Sequence, residues 1–289
     1  MFTTGCFKPN LFEAQYIERY NVSILHIVVL ALVQGVTEFL PISSSGHLVL
    51  VPIFTSWPDQ GQIIDVAVHL GTLGAVLLYF WRDVFAMLRG IVIAARGRKD
   101  PHAKLAGLIV LATIPVFLVG YGLKHYGVDG LRSLNVIAWA TLGFGIVLWL
   151  SDKVGMTLRR VEHMGVSDAI IVGFAQVLAL VPGTSRSGIT MSAARILGME
   201  RSAAARFSML LSIPTIIGAG TLSALEMYRI GDIYLTVDAF FAAALSFLFA
   251  MVAISFLMSW LKRSSFAPFA IYRVLLGGGL LWLSYVYLG

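Results

Sequence analysis

Four stretches of this chain, Leu105–Leu123, Ser133–Ser151, Phe207–Leu225 and Ala239–Leu261, run close to twenty residues or more without a single charge. About 20 apolar residues are what an α-helix needs to cross the core of a bilayer, so each reads as a transmembrane helix. None alternates in polarity as the ~10-residue strands of a membrane β-barrel do. Composition agrees, with 58% hydrophobic and only 12% charged residues, where a soluble domain carries about 25% charged. The fold class expected is an all-α polytopic membrane protein. Its one cysteine, Cys6, excludes an intramolecular disulfide. Residues 1–21 mix Lys8, Glu13, Glu18 and Arg19 with scattered apolar residues, so no cleaved signal peptide is expected.

Six full spans can be placed, at 61–81, 104–123, 133–151, 203–225, 237–261 and 266–288. Two further apolar regions, 22–57 and 167–200, are broken near their middles by Pro41-Ile-Ser-Ser-Ser-Gly-His47 and Pro182-Gly-Thr-Ser-Arg-Ser-Gly188. Both read as re-entrant helical hairpins, because irregular polar backbone at membrane depth persists only where protein or trapped water surrounds it. The segment 82–104 carries Arg82, Arg89, Arg96, Arg98, Lys99 and Lys104, which makes it cytoplasmic by the positive-inside rule. Counting crossings from there places 14 basic residues inside and 5 outside, and both termini outside. The net charge of +6 is therefore a topology signal rather than a nucleic-acid surface.

The same count brings the first hairpin in from outside and the second from inside, each followed by three spans. Two such halves, 22–151 and 152–289 after an N-terminal extension 1–21, would form an inverted-topology repeat within a single membrane domain. Gln34 and Gly46 are spaced like Gln176 and Gly188, and Ser43, Ser44 and Ser45 align with Ser185, Arg186 and Ser187.

Ionisable groups within a membrane cost ~2.5–3.5 kcal/mol at a helix centre and call for a reason. Glu38 lies four residues after Gln34, on the same helical face, and Pro41 disfavours helix at the residue before it. Three hydroxyls and His47 follow. In the second loop a helix beginning near Ser187 would present free N–H groups to an anion beside the fixed charge of Arg186. One carboxylate, one imidazole, one guanidinium and several hydroxyls suit a phosphate ester. Glu38, helped by Gln34, could hold a divalent cation against a diphosphate, His47 could act as general base or acid, and a hydroxyl or a metal-bound water could be the nucleophile. His47 falls three residues after Ser44, close enough on a helix to activate it.

Taken singly, a snorkelling Glu and helix-capping serines would explain these residues. Two such loops in otherwise apolar segments point to function. Asp65 and His69, four apart, read as a pair with a supporting role; Arg195, Arg201 and Arg206 read as cytoplasmic flanks; Arg273 lies deep enough to require a partner. Gly71, Gly74, Gly143, Gly145, Gly218, Gly220 and the run from Gly277 to Gly279 read as close-packing positions.

Gln34-Gly-Val-Thr-Glu38-Phe-Leu-Pro-Ile-Ser-Ser-Ser-Gly-His47 resembles the (Glu/Gln)-x-x-x-Glu and Pro-x-Ser-Ser-x-Gly-His signatures of the undecaprenyl-diphosphate phosphatases of the bacitracin-resistance type. Pro182-Gly-Thr-Ser-Arg-Ser-Gly-Ile-Thr190 is similar to that family's second signature, and Ser-Phe-Ala-Pro-Phe-Ala-Ile-Tyr-Arg273 also looks familial. The resemblance covers nearly the whole chain. It implies an integral enzyme of the bacterial inner membrane that hydrolyses undecaprenyl diphosphate to undecaprenyl phosphate for cell-wall carrier recycling and confers tolerance to bacitracin. It further implies an inverted repeat, a site opening toward the periplasm and dependence on a divalent cation, Mg²⁺ or Ca²⁺. By motif it assigns Glu38, Ser44, His47 and Arg186 to catalysis, Gln34, Ser43, Ser185 and Thr190 to substrate binding, and Glu38 to the metal. Family members often carry Glu where this chain has Gln34, and a neutral amide is the poorer cation ligand. The partners implied are a polyprenyl diphosphate and membrane lipid, with a homo-oligomer left open. The competing reading is a lipid-phosphate flippase or anion transporter, since paired hairpins in an inverted repeat also build carriers. Fold alone does not separate the two.

Overall fold

The computed structural model describes residues 23–55, 57, 61–126, 133–155, 159–230 and 237–287. The expected N-terminal extension and the two chain ends lie outside them. Eleven α-helices are present among the described residues: α1 (Ile24–Thr37), α2 (Ser44–Thr55), α3 (Gly61–Tyr79), α4 (Trp81–Ala95), α5 (Pro101–Tyr126), α6 (Leu134–Val154), α7 (Val166–Val177), α8 (Arg186–Ile196), α9 (Arg201–Ile230), α10 (Val237–Trp260) and α11 (Ala267–Tyr287). The β structure among the same residues is an isolated bridge between Arg159 and Met199.

Six of these helices are long and apolar enough to cross a membrane: Gly61–Tyr79, Pro101–Leu123, Leu134–Val154, Arg201–Leu225, Val237–Trp260 and Ala267–Val286. They match the six spans read from the sequence to within a few residues. The segment 82–104, which the charge count assigns to a side without assigning a secondary structure, is mostly helix: Met87 and Gly90 of α4 give it a face that packs on α5.

Helices α1 and α2 meet at the Pro41 break, as α7 and α8 meet at the Pro182 break. Both loops end in the same backbone device. Ser43 (φ 79°) and Ser185 (φ 69°) are the two non-glycine residues with positive φ among those described. Each hydroxyl then accepts from the N–H three residues on, Gly46 N–H to Ser43 Oγ at 3.3 Å and Gly188 N–H to Ser185 Oγ at 3.1 Å. A left-handed serine costs backbone energy, and the cap it forms on the following helix offsets part of that cost.

Packing fixes where the loops sit. α1 lies along α10, α7 along α5, and α6 along α11. Small residues permit these approaches: a Cβ on Gly71 would come within 2.2 Å of Ala243 O, which is how α3 and α10 reach near-backbone contact. Gly183 is required twice over, by its φ of 93° and by Ile137 O, 2.5 Å from where a Cβ would be.

At the end bearing the basic residues, Arg159, Arg160, Arg195, Arg201 and Arg206 are paired with carboxylates. Arg195 is fully buried and donates to Asp152 Oδ1 at 3.2 Å, to Met199 O, and to Gly155 O at 2.8 Å. Arg201 reaches the same carboxylate oxygen at 2.6 Å, and Arg206 bridges Asp83 and Glu162. These three arginines, read from sequence as flank residues, join α9 and the end of α8 to α6, α4 and the 160s turn. Arg159 donates to both oxygens of Asp168, at 3.2 and 2.6 Å; this carboxylate bond raises the Arg159 guanidinium above its ordinary pKa. Asp168 also accepts from Gly165 N–H at 2.8 Å and so caps α7.

Candidate active site

The two broken segments come together in the interior, and the contact is made by their polar residues. Glu38 stands at the C-terminal end of α1, only 8% exposed, and its two oxygens face different partners. Oε2 accepts from Ser44 Oγ at 2.8 Å and from Gln34 Nε2 at 3.0 Å. Oε1 accepts from Arg186 at 3.2 Å, across 148 positions of sequence. Arg186 also donates to Ser208 O at 3.2 Å, while its Nε is buried without an acceptor. The Pro41 turn explains the first contact: by ending α1 and restarting the chain as α2, it folds Ser44 back over the carboxylate.

Glu38, Ser44, Ser185 and Arg186 all line one cavity of about 300 Å³, together with Ser45, Asp65 and His69. Ser44 and Arg186 are the first residues of α2 and α8, so both helix N-termini meet at this cavity. A phosphate group entering it would face a hydroxyl, a guanidinium and the positive ends of two helices.

The other residues singled out by sequence serve nearby. Gln34 is fully buried behind Glu38, its Oε1 without a partner. Ser43 caps α2. Thr190, fully buried, bonds to Arg186 O at 2.8 Å and to Ser208 Oγ at 2.7 Å, which holds the first turn of α8 against α9. Ser187 Oγ donates to Leu40 O at 3.0 Å, a direct tie between the two loops.

His47 does not pair with Ser44, which corrects the activation expected from their spacing. Its Nδ1 bonds to Ser43 O at 2.7 Å, and its Nε2 lies 2.6 Å from Tyr272 Oη with the two rings stacked. Because a carbonyl only accepts, Nδ1 carries a proton, and both ring nitrogens are engaged away from Ser44. The Ser44 hydroxyl instead finds the carboxylate, the stronger acceptor within its reach. Asp65 and His69 do pair, through the main chain: His69 Nδ1 donates to the main-chain oxygen of Asp65 at 2.6 Å, and both residues line the cavity.

Arg273 has no carboxylate among the partners found for it. Fully buried, it donates to Gly183 O (2.9 Å), Thr184 O (2.8 Å), Thr141 O (3.2 Å), Pro41 O (3.4 Å) and Ala140 O (3.5 Å). Tyr272 and Arg273 thus brace both loops from α11. Tyr272 was not singled out by sequence; its place beside Arg273 in the closing motif was the available signal.

For a divalent cation, no three His, Cys, Asp or Glu side chains among the described residues are arranged to hold one unaided. Glu38, with Gln34 turned to it through Nε2 and carrying an amide oxygen without a partner, is the donor set that would hold a cation taking most of its ligands from phosphate and water.

These features define a helical protein with six helices fit to cross a membrane and a polar cavity between two broken helices. The chain belongs to the family described as bacitracin resistance protein BacA, whose model matches residues 27–279. Over 270 residues it is 52% identical to undecaprenyl-diphosphatase 1 of Rhodospirillum rubrum, covering 91% of this chain and 96% of that protein. It is 49% identical over 265 residues to the undecaprenyl-diphosphatase of Ruegeria pomeroyi and 52% identical over 265 residues to that of a Jannaschia species, each covering 91% of this chain and 99% of the relative.

Proposed function

We propose that this chain is an undecaprenyl-diphosphate phosphatase, removing the terminal phosphate of the lipid diphosphate to give undecaprenyl phosphate and inorganic phosphate. The observation that carries the reading is the Ser44–Glu38–Arg186 constellation lining one cavity. Ser44 Oγ attacks the terminal phosphorus as its proton passes to Glu38. The bond to the bridging oxygen breaks, and that oxygen leaves with the electron pair as part of undecaprenyl phosphate. Arg186 holds the phosphoryl oxygens through its guanidinium, and water then attacks the phosphorus while Glu38 returns its proton to the departing Ser44 oxygen, releasing inorganic phosphate. Glu38 and Gln34 are the residues that would hold a divalent cation, which when bound would offset diphosphate charge.

A carrier has no need of a serine hydroxyl bonded to a buried carboxylate, so the phosphatase reading is favoured over a flippase or anion transporter. Purified protein in detergent micelles, with no membrane to cross, is expected to release inorganic phosphate from undecaprenyl diphosphate. Transport in vesicles with no release in micelles would establish the carrier instead.

The two halves are read as an inverted repeat of re-entrant hairpins and spans. In support, each hairpin's first helix packs on the second span of the other half, α1 on α10 and α7 on α5, and both loops turn at a left-handed serine. The location proposed is a bacterial inner membrane, with the site opening to the periplasm and residue 99 cytoplasmic, as the distribution of basic residues implies. In a Lys99→Cys variant of intact cells, an impermeant thiol reagent is expected to leave position 99 unlabelled. Labelling there before lysis would invert the orientation.

A further inference from the structure

Helix α4 is not one of the six spans. Its 15 residues extend about 22 Å, short of the ~30 Å hydrocarbon core. Its packed face shows how it lies. Asp83 pairs with Arg206, in the second turn of α9, and Gly90 rests against Asp100 and Ala103 at the start of α5. Those two positions are separated by about 10 Å of helix rise, yet both meet the ends of spans that begin at the basic face. α4 therefore touches both α9 and α5 near their N-terminal ends.

Its outer face carries Trp81, Phe85, Leu88 and Val92, each more than half exposed and spaced as one helical stripe. Beside the stripe run Arg82, Arg89 and Arg96, one heptad apart and all exposed, followed by exposed Arg98 and Lys99. None of these five has a carboxylate partner among the described residues. The Arg82 guanidinium lies over the Trp81 ring, 5.4 Å from its centroid. Where α4 gives way to α5, an open cleft is lined by Gly97, Arg98, Lys99, Asp100 and Lys104.

We propose that α4 is an in-plane interfacial helix that binds anionic phospholipid headgroups. Arg82, Arg89, Arg96 and the Arg98–Lys99 loop engage the phosphates, and the apolar stripe seats among the upper acyl chains. The partner follows from charge complementarity and amphipathic geometry: an apolar stripe bordered by unpaired cations matches the boundary of a negatively charged leaflet. The reading is independent of the chemistry at Ser44.

The test titrates the full-length protein in zwitterionic micelles with a water-soluble short-chain phosphatidylglycerol, using short-chain phosphatidylcholine as control. Wild type is expected to bind phosphatidylglycerol saturably and in preference. Each charge removed should weaken binding about fivefold, so Arg82/Arg89/Arg96→Gln should weaken it by about 100-fold, while the triple Lys variant retains it. Should the Gln variant fail to fold, Arg98/Lys99→Gln serves in its place, with about a 25-fold loss. In vesicles of brominated lipid, the emission lost on Trp81→Phe should be quenched best by bromine near the headgroup. Equal affinity of wild type and the Gln variants for phosphatidylglycerol, no preference over phosphatidylcholine, or quenching strongest from the bilayer centre overturns the proposal.

Discussion

Ser44→Ala is expected to lower turnover of undecaprenyl diphosphate by at least about 10³-fold while leaving a folded protein. The structural loss is small, because a half-buried residue gives up one hydrogen bond to Glu38, worth about 1 kcal/mol. The chemical loss is large, because no other hydroxyl on the cavity wall was found bonded to the carboxylate. Covalent catalysis makes a second demand. Wild-type enzyme denatured during turnover should carry phosphate on Ser44, detectable by mass spectrometry of the peptide. A Ser44→Ala protein that keeps a substantial rate, with no phosphoserine trapped from wild type, would show that water attacks directly and that Ser44 only binds.

Glu38→Gln should cost about 10²–10⁴-fold in kcat, the range of general acid–base catalysis. The amide has the shape of the carboxylate and can still accept from Ser44, but it takes up no proton and gives Arg186 no counter-charge. The comparison that isolates this role is His47→Gln. If Glu38 is the base, the His47 variant should fall less, since His47 reaches Ser43 O and Tyr272 rather than Ser44. The reverse order, with near wild-type kcat in Glu38→Gln at saturating Mg²⁺ and a collapsed rate in His47→Gln, would return the proton transfer to the imidazole and remove Glu38 as a cation ligand.

The spans were legible because membrane thickness imposes one length, and stretches such as 239–261 meet it without interruption. The two loops were legible because Pro41 and Pro182 break apolar runs that would otherwise continue. α4 was hidden although its stripe at Trp81, Phe85, Leu88 and Val92 was there to be read; a charge count over 82–104 registers topology and is blind to periodicity. The Ser44–Glu38 bond was missed because both residues flank a turn whose path is set by Ser43 at positive φ, a conformation that serine rarely announces. Helical spacing pointed His47 to Ser44, but spacing says only which side chains share a face, and the carboxylate across the turn was the better acceptor. Arg273 was visibly too deep to stand alone. Its partners could not be named, since they are main-chain oxygens and those carry no letter in the sequence.

Arg273 grips only peptide oxygens, Pro41 O from one broken segment and Gly183 O and Thr184 O from the other. A grip of that kind makes no demand on side chains that point away from it, although Gly183 and Gly188 beside it have no room for one. Each loop can therefore change its chemistry without losing its place. This is how a pair of segments with matching turns can come to hold an acid on one side, Glu38, and a permanent cation on the other, Arg186, and still present them to each other as two halves of a single tool.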